Sequence, residues 1–322
     1  MKELTEDNLK ELFRQQLEEW PQARNNYNAL GSVRKKSFEV DGFPVEVHYN
    51  AARIVSSAAK VDPKSIQERK CFLCEENRPS VQKGLSYRGL SGHDYVVLVN
   101  PFPIFPLHLT IPDVNHTDQL INGRIEDMLD LAEKLSDYVI FYNGPLCGAS
   151  APDHMHFQAG NKGFLPIERD FERVDKALVV HRRKAYVFTQ TSFVKSSLII
   201  VSTSAEDILK QFNTIYSNLE KRAVNEEPML NILCWKSEGK WYLYIILRSK
   251  HRPASFFAEG EDNLLISPAS VDFGGVFITP LEKDFEKITD KNVSGIINEV
   301  TFDQTATDKL IEKVEKTNQN YE

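Results

Sequence analysis

The residues best equipped for chemistry lie between Asn143 and Gln158, in the order NGPLCGASAPDHMHFQ. An aromatic and β-branched run, DYVIFY (137–142), precedes them and suits a strand. After the small-residue segment Gly144–Pro152, the order HMHFQ alternates. In an extended chain the period of two puts His154, His156 and Gln158 on one face, with Met155 and Phe157 on the other. Three imidazole or amide side chains then stand over a Gly/Ala/Ser loop rich in free backbone N–H groups. Such an arrangement can hold a phosphoryl group against a nucleophilic nitrogen. A pair of histidines in a strand also occurs as a purely hydrogen-bonded structural feature. The loop, Gln158 and a cysteine pair upstream shift the weight towards a site.

That pair is Cys71-Phe72-Leu73-Cys74. In a reducing compartment a CxxC is half of a metal site or a redox couple. A redox couple should open a helix after a strand, whereas EENRPS comes next here and breaks one. A tetrahedral zinc site needs two further ligands, and His116 and His154 are available downstream. His108, between Leu107 and Leu109, reads as a packed histidine rather than a ligand. Arg53 and Lys60 flank the Ser/Ala segment 51–60, as phosphate contacts or as solvated surface charges. Arg248 and Lys250, after a later strand, are further candidates for phosphate contact.

The elements around these residues give an α+β chain. An opening helix is expected over 5–22, capped by Thr5 and closed near Pro21. A hairpin is expected around Asp41-Gly42 within 36–50, with strands at 95–100 and 107–112. A helix capped near Thr117 follows His116, and then come the 137–142 and HMHFQ strands, which leave the site at one edge of the meander. In the second half, strands are expected at 185–191, 197–201, 229–235 and 241–247, with two short ones inside 264–279. Helices are expected at 205–223, 282–300 and 305–318. This half has neither HxHxQ nor CxxC, so it reads as a diverged structural repeat of the first, dividing the chain into 1–170 and 171–322.

Composition narrows the class. The 322 residues carry a net charge of −7 and are 41% hydrophobic, ordinary for a globular chain and poorly suited to non-specific nucleic-acid binding. No apolar run approaches the ~20 residues that cross a bilayer. The acidic, amphipathic start MKELTEDNLKELF does not resemble a signal peptide. Four cysteines are too few for a disulfide scaffold, so a cytoplasmic setting is expected.

Cys71-Phe-Leu-Cys74, IPDVNH ending at His116 and NGPLCGASAPDHMHFQ together resemble the histidine-triad superfamily. The branch is that of galactose-1-phosphate uridylyltransferase, diadenosine tetraphosphate phosphorylase and GDP-sugar phosphorylase. LNILCW, KWYLYIILRSK and SPASVDFGGVFITPLEKDFEKIT are similar to the second half of the phosphorylases, so the resemblance runs from about residue 45 to 300. It implies an antiparallel histidine-triad-like sheet with helices, in two pseudo-repeated halves, the first catalytic. It implies that His156 is the nucleophile and becomes nucleotidylated, and that Gln158 steadies the phosphoryl oxygens. Asn143, Gly148 and Ser150 would belong to the phosphate-binding segment. Cys71, Cys74, His116 and His154 would hold a structural zinc that pins the strand carrying His154. The donor would be a nucleotide sugar or a dinucleoside polyphosphate, the acceptor a sugar 1-phosphate or orthophosphate, and the protein a homodimer. Met155 stands where the uridylyltransferases have proline, and Asp153 is closer to the phosphorylases. His156 needs an acceptor for its second nitrogen, and a carbonyl of the 143–150 loop is the expected one. The competing reading is a zinc-stabilised nucleotide-binding protein without turnover, which would need neither His156 nor Gln158.

Overall fold

Residues 1–54, 62–221 and 227–319 are described by a computed structural model. Asp41 and Gly42 both adopt positive φ (50° and 78°), the backbone of a two-residue turn, and close β1 (Arg34–Val40) on β2 (Phe43–Tyr49). β13 (Val276–Thr279) adds to β2 in parallel, completing a three-stranded sheet. The remaining strands are β3 (Gly84–Arg88), β4 (Asp94–Val99), β5 (His108–Pro112), β6 (Tyr138–Asn143) and β7 (His156–Asn161). They continue with β8 (Lys176–Arg182), β9 (Ala185–Gln190), β10 (Ser197–Ser202), β11 (Leu230–Ser237) and β12 (Lys240–Leu247). All ten join in one antiparallel sheet in the order β3-β4-β5-β7-β6-β11-β12-β10-β9-β8.

Read from its two outer edges, that order is the same path walked twice. Three strands run as a meander, a helix follows (Ile125–Lys134 in one half, Ala205–Asn218 in the other), and a pair of strands returns with its first member innermost. β6 and β11 meet at the centre, pairing Asn143 with Asn231. The expected pseudo-repeat is therefore visible as topology.

Alternation along the strands builds a core on each face of the sheet. Val97, Ile111, Phe157, Ile232 and Ile245 pack under helices Glu6–Glu19, Ile125–Lys134, Ala205–Asn218 and Gln304–Gln319. Phe141, Ile199, Leu233, Trp235 and Ile246 face the small sheet through Val45, Val47 and Phe277, and helix Asp290–Val300 through Val293 and Ile297.

Several elements differ from the sequence expectation. Pro21 opens a second helix, Pro21–Ala29, instead of closing the first, because the first helical position tolerates a residue without an N–H. No helix starts at Thr117: Gly123 sits at φ 75° and helix Ile125–Lys134 begins only after that turn. Within 264–279 a short helix, Ser270–Phe273, replaces one of the two expected strands. The expected 282–300 helix breaks into Glu282–Lys287 and Asp290–Val300. β7 lies between β5 and β6, so the HMHFQ segment is inside the sheet and not at an edge. Among the described residues no helix is long and apolar enough to cross a membrane.

Candidate active site

His156 opens β7 and His154 lies two residues before it, and their ring nitrogens are assigned by backbone carbonyls. His154 Nε2 lies 2.8 Å from the Asp113 carbonyl, and His156 Nδ1 lies 2.8 Å from the His154 carbonyl. A carbonyl only accepts, so each of those nitrogens carries the proton. His154 Nδ1 is left with a lone pair towards Cys71, and His156 Nε2 with a lone pair on a ring that lines a cavity of about 360 Å³. The carbonyl that orients His156 is that of the residue two before it, not one of the 143–150 loop. Burial pushes the His156 imidazole down to about 4, so it is neutral at pH 7.

Gln158 lines the same cavity. Its Oε1 is 3.1 Å from His108 Nε2, while His108 Nδ1 accepts from the Ile104 N–H at 3.0 Å. His108 must therefore donate through Nε2, which takes the amide oxygen of Gln158 and turns its NH₂ towards the cavity. His108 is packed, as expected, and burial pushes it down to about 3.

Asn143 ends β6, and its Oδ1 accepts from Asn231 Nδ2 (2.7 Å) and the Ser270 N–H (2.9 Å). Gly148 has φ 94°, and a Cβ there would come within 2.8 Å of Ala269 Cβ. Only glycine lets the loop lie this close to the 268–269 backbone. Gly148, Ser150 and Arg53 all line the cavity. Arg53 Nη1 donates to the Phe102 carbonyl at 2.6 Å, while its buried Nε has no partner among the described residues.

Lys60 lies outside the described residues. Arg248 and Lys250 do not line the cavity. Arg248 is 1% exposed, its guanidinium fully engaged by backbone and amide oxygens, and Lys250 pairs with Glu299 at the surface (3.2 Å). A residue following a buried strand continues its alternation, so Arg248 points into the protein and the basic run offers its next members instead. His251 and Arg252 do reach the cavity, as do Ser267 and Asp272.

Cys71, Cys74, His116 and His154 bring one ligand atom each within 4.8 Å of one another and could hold a metal ion. Cys71 Sγ to His154 Nδ1 is 3.3 Å, Cys74 Sγ to His116 Nδ1 is 3.2 Å and Cys74 Sγ to His154 Nδ1 is 3.6 Å. A tetrahedral ion with ~2.3 Å bonds to sulfur and ~2.0 Å bonds to nitrogen separates such atoms by roughly 3.5 Å, so the donors fit the group. The Asp113 carbonyl on His154 Nε2 is the outer contact expected of a metal-bound imidazole. Arg69 bonds Asp153 beside this cluster.

Residues 170–320 match the family model described as GDPGP1-like, C-terminal domain, and residues 12–161 match one described as Domain of unknown function (DUF4922). The crystal structure of yeast Ap4A phosphorylase Apa2 superposes with a TM-score of 0.52 at 14% identity, covering 88% of this chain and 96% of that one. The same yeast enzyme in complex with AMP gives 0.56 at 16% identity, covering 93% and 98%. No curated protein sequence matches the chain.

The chain shares the fold of that yeast enzyme, and its residues 170–320 carry the GDPGP1-like C-terminal domain match.

Within this fold, one residue that packs against His156 leaves no mark in the sequence. Gln119 is fully buried; its Oε1 accepts from the His156 N–H at 2.7 Å. Its Nε2 donates to the carbonyls of Asn143 (3.0 Å) and His156 (3.1 Å). The β6–β7 register, in which Phe141 pairs Gln158, would if continued two residues further pair Asn143 with His156. The Gln119 amide stands between those two residues instead, holding the end of β6 and the start of β7 apart by the width of one amide. In sequence Gln119 looks like any polar residue of a helix, and only the turn around Gly123 frees it to reach β7.

Proposed function

We propose that the chain is a nucleotidyltransferase of the phosphorylase type. A nucleotide sugar or dinucleoside polyphosphate is the donor, and orthophosphate or a sugar 1-phosphate the acceptor. The observation that carries this reading is the proton assignment at His156: Nδ1–H is committed to a carbonyl, and the Nε2 lone pair is left on a ring that lines the same cavity as Asn143 and Gln158. A neutral imidazole meets a polyanion without charge repulsion. In the first displacement Nε2 forms a bond to the α-phosphorus as the bond from phosphorus to the bridging oxygen breaks, and the leaving phosphate departs with that oxygen. Nδ1 keeps its proton throughout, and the cationic nucleotidyl-imidazolium rests against the His154 carbonyl. In the second displacement an acceptor oxygen attacks phosphorus, and the electron pair of the N–P bond returns to Nε2.

Charge that develops on the non-bridging oxygens meets the NH₂ groups of Asn143 and Gln158 and the backbone around Gly148 and Ser150; one such donor contributes ~3–4 kcal/mol to lowering a barrier. Arg53 and Arg252 supply positive charge to the cavity, and Trp20 and Leu98 in its lining offer apolar surface to the rest of the donor. Zinc would be held by Cys71, Cys74, His116 and His154. Four protein ligands make it a structural ion, which anchors the entry to β7. Residues 1–170 form the catalytic half, and 171–322 the diverged half that closes the cavity through Ser267, Ala269 and Asp272. A reducing cytoplasm would keep the cysteines as ligands.

The test is intact mass after incubation with UDP-, GDP- and ADP-sugars and diadenosine tetraphosphate, quenched at mildly alkaline pH because a phosphoramidate is acid-labile. A nucleoside monophosphate adduct is expected in the wild type and absent in His156→Ala, with metal content and melting unchanged. Nucleotide binding with no adduct from any donor would instead support the non-catalytic reading.

A further inference from the structure

We propose that Arg248 and Asn231, both from the C-terminal half, are positioning residues that fix which end of the Asn143 amide faces the cavity. This rests on the reading of the cavity as a phosphoryl-transfer site.

Hydrogen-bond polarity sets the orientation. A guanidinium has five N–H donors and no acceptor. In Arg248, Nε donates to the Val300 carbonyl (3.1 Å), and Nη2 to the carbonyls of Lys250 (3.0 Å) and His251 (2.9 Å). Nη1 donates to the Pro268 carbonyl (3.0 Å) and, at 2.6 Å, to Asn231 Oδ1. Asn231, fully buried, has no freedom left: its oxygen faces Arg248, so its NH₂ faces the other way. Both of those protons are used, on Asn143 Oδ1 and on the Cys147 carbonyl, each at 2.7 Å. The Ser270 N–H reaches the same Asn143 oxygen at 2.9 Å.

The Asn143 amide is thereby held with its oxygen towards Asn231 and Ser270, which leaves its NH₂ for the cavity that His156 and Gln158 also line. The reversed amide would set its NH₂ against the NH₂ of Asn231 and the N–H of Ser270, donors facing donors. It would also present an acceptor to phosphoryl oxygens, which are themselves acceptors. An isolated asparagine amide has little reason to prefer either orientation. Here Arg248, acting through two amides, and the Ser270 N–H set the orientation together, and the diverged half acquires a part in the chemistry without touching the substrate. The Asn231 bond to the Cys147 carbonyl holds the phosphate loop in the same step.

Asn231→Asp and Asn231→Ala separate this role from packing. Aspartate keeps an oxygen on Arg248, and that cation keeps it ionised. Its second oxygen then faces Asn143, which must turn its NH₂ away from the cavity. Alanine removes the bridge but leaves the Ser270 N–H to hold Asn143 correctly. The rate of adduct formation at His156, with whichever donor labels the wild type, should fall ~10²–10³-fold in Asn231→Asp and about tenfold in Asn231→Ala, mainly in kcat. Thermal stability should rank the other way, Asp above Ala, because alanine leaves Arg248 short of an acceptor. If rate and stability rank the two variants alike, Asn231 is a packing residue and the relay is refuted. Calorimetric titration with AMP, GMP and UMP tests the relay without turnover, and the aspartate variant should bind the nucleotide recognised by the wild type more weakly than the alanine variant. A wild type that binds a nucleotide but forms no adduct refutes the enzymatic reading alone, and the binding order then decides the relay. A wild type that binds none of them overturns both.

Discussion

Glu227 offers the sharpest quantitative test, because its proton sits in the chain of bonds behind Gln119. Its Oε1 takes the Ile121 N–H at 2.5 Å, and its Oε2 lies 2.5 Å from the Tyr142 hydroxyl, which lies 2.9 Å from the Gln119 carbonyl. One hydroxyl proton cannot serve both oxygens. With Glu227 protonated, the acid donates to Tyr142 and Tyr142 donates to Gln119; with Glu227 ionised, Tyr142 must turn to the carboxylate and leave the Gln119 carbonyl bare. Burial pushes Glu227 from 4.5 up to about 7. The unfolded carboxyl loses its proton near 4.5 and the folded one near 7, so between these values the folded state binds more protons. Stability must fall as pH rises through that window and stay reduced above it. The whole effect is about 3 kcal/mol. Glu227→Gln reproduces the protonated pattern, an oxygen for Ile121 and an N–H for Tyr142, without titrating. It should stabilise the protein by about 1 kcal/mol at pH 5 and about 3 kcal/mol at pH 8. With ~2.1 cal/mol/K of unfolding entropy per residue over 322 residues, the gain at pH 8 is a Tm increase of about 4 °C. Differential scanning calorimetry of both proteins at the two pH values measures this directly. A gain that does not grow between pH 5 and pH 8, or a loss at pH 8, refutes the protonated chain.

Three further outcomes are expected. Gln119→Met removes three buried hydrogen bonds at constant length; it should cost roughly 3 kcal/mol in denaturant unfolding and lower kcat while metal content and KM hold. Gly148→Ala should cost ~1–3 kcal/mol through its positive φ and its approach to Ala269, and Ala269→Gly in the same chain should restore part of the lost Tm. Zinc should be found at one ion per chain by elemental mass spectrometry; Cys71→Ser should lose it, and with it both melting temperature and the rate of His156 labelling.

The place of the candidate site could be read from local order. HxHxQ after a small-residue loop puts His156 and Gln158 on one face by the period of a strand, and Asn143 joins them because it ends the strand before the loop. The CxxC implied a metal because the EENRPS run directly after Cys74 breaks the helix that a redox couple would open. The Asp41-Gly42 hairpin and the central strands of both halves were legible from alternation. These are properties of neighbours along the chain, where φ, ψ and side-chain period are set by the residues themselves.

What the chain brings together from a distance was decided only by the fold. The carbonyl that accepts from His156 Nδ1–H is that of His154, just ahead of β7, and not one of the 143–150 loop. Gln119 reaches β7 because a glycine turn delays the helix in which its sequence places it. Arg248 looked like a phosphate contact because it stands in a basic run, yet the inward alternation of β12 buries it and spends every donor on oxygens of its own half. His251, Arg252 and Asp272 meet His156 only because β6 and β11 pair at the centre of one sheet, which swings the loops of the second half over the site of the first. Residue type and period decide what a group can do and which way it faces locally. Its partner is settled by the closing of two distant halves around one cavity, where burial requires every polar atom to be matched and so selects one pairing among many.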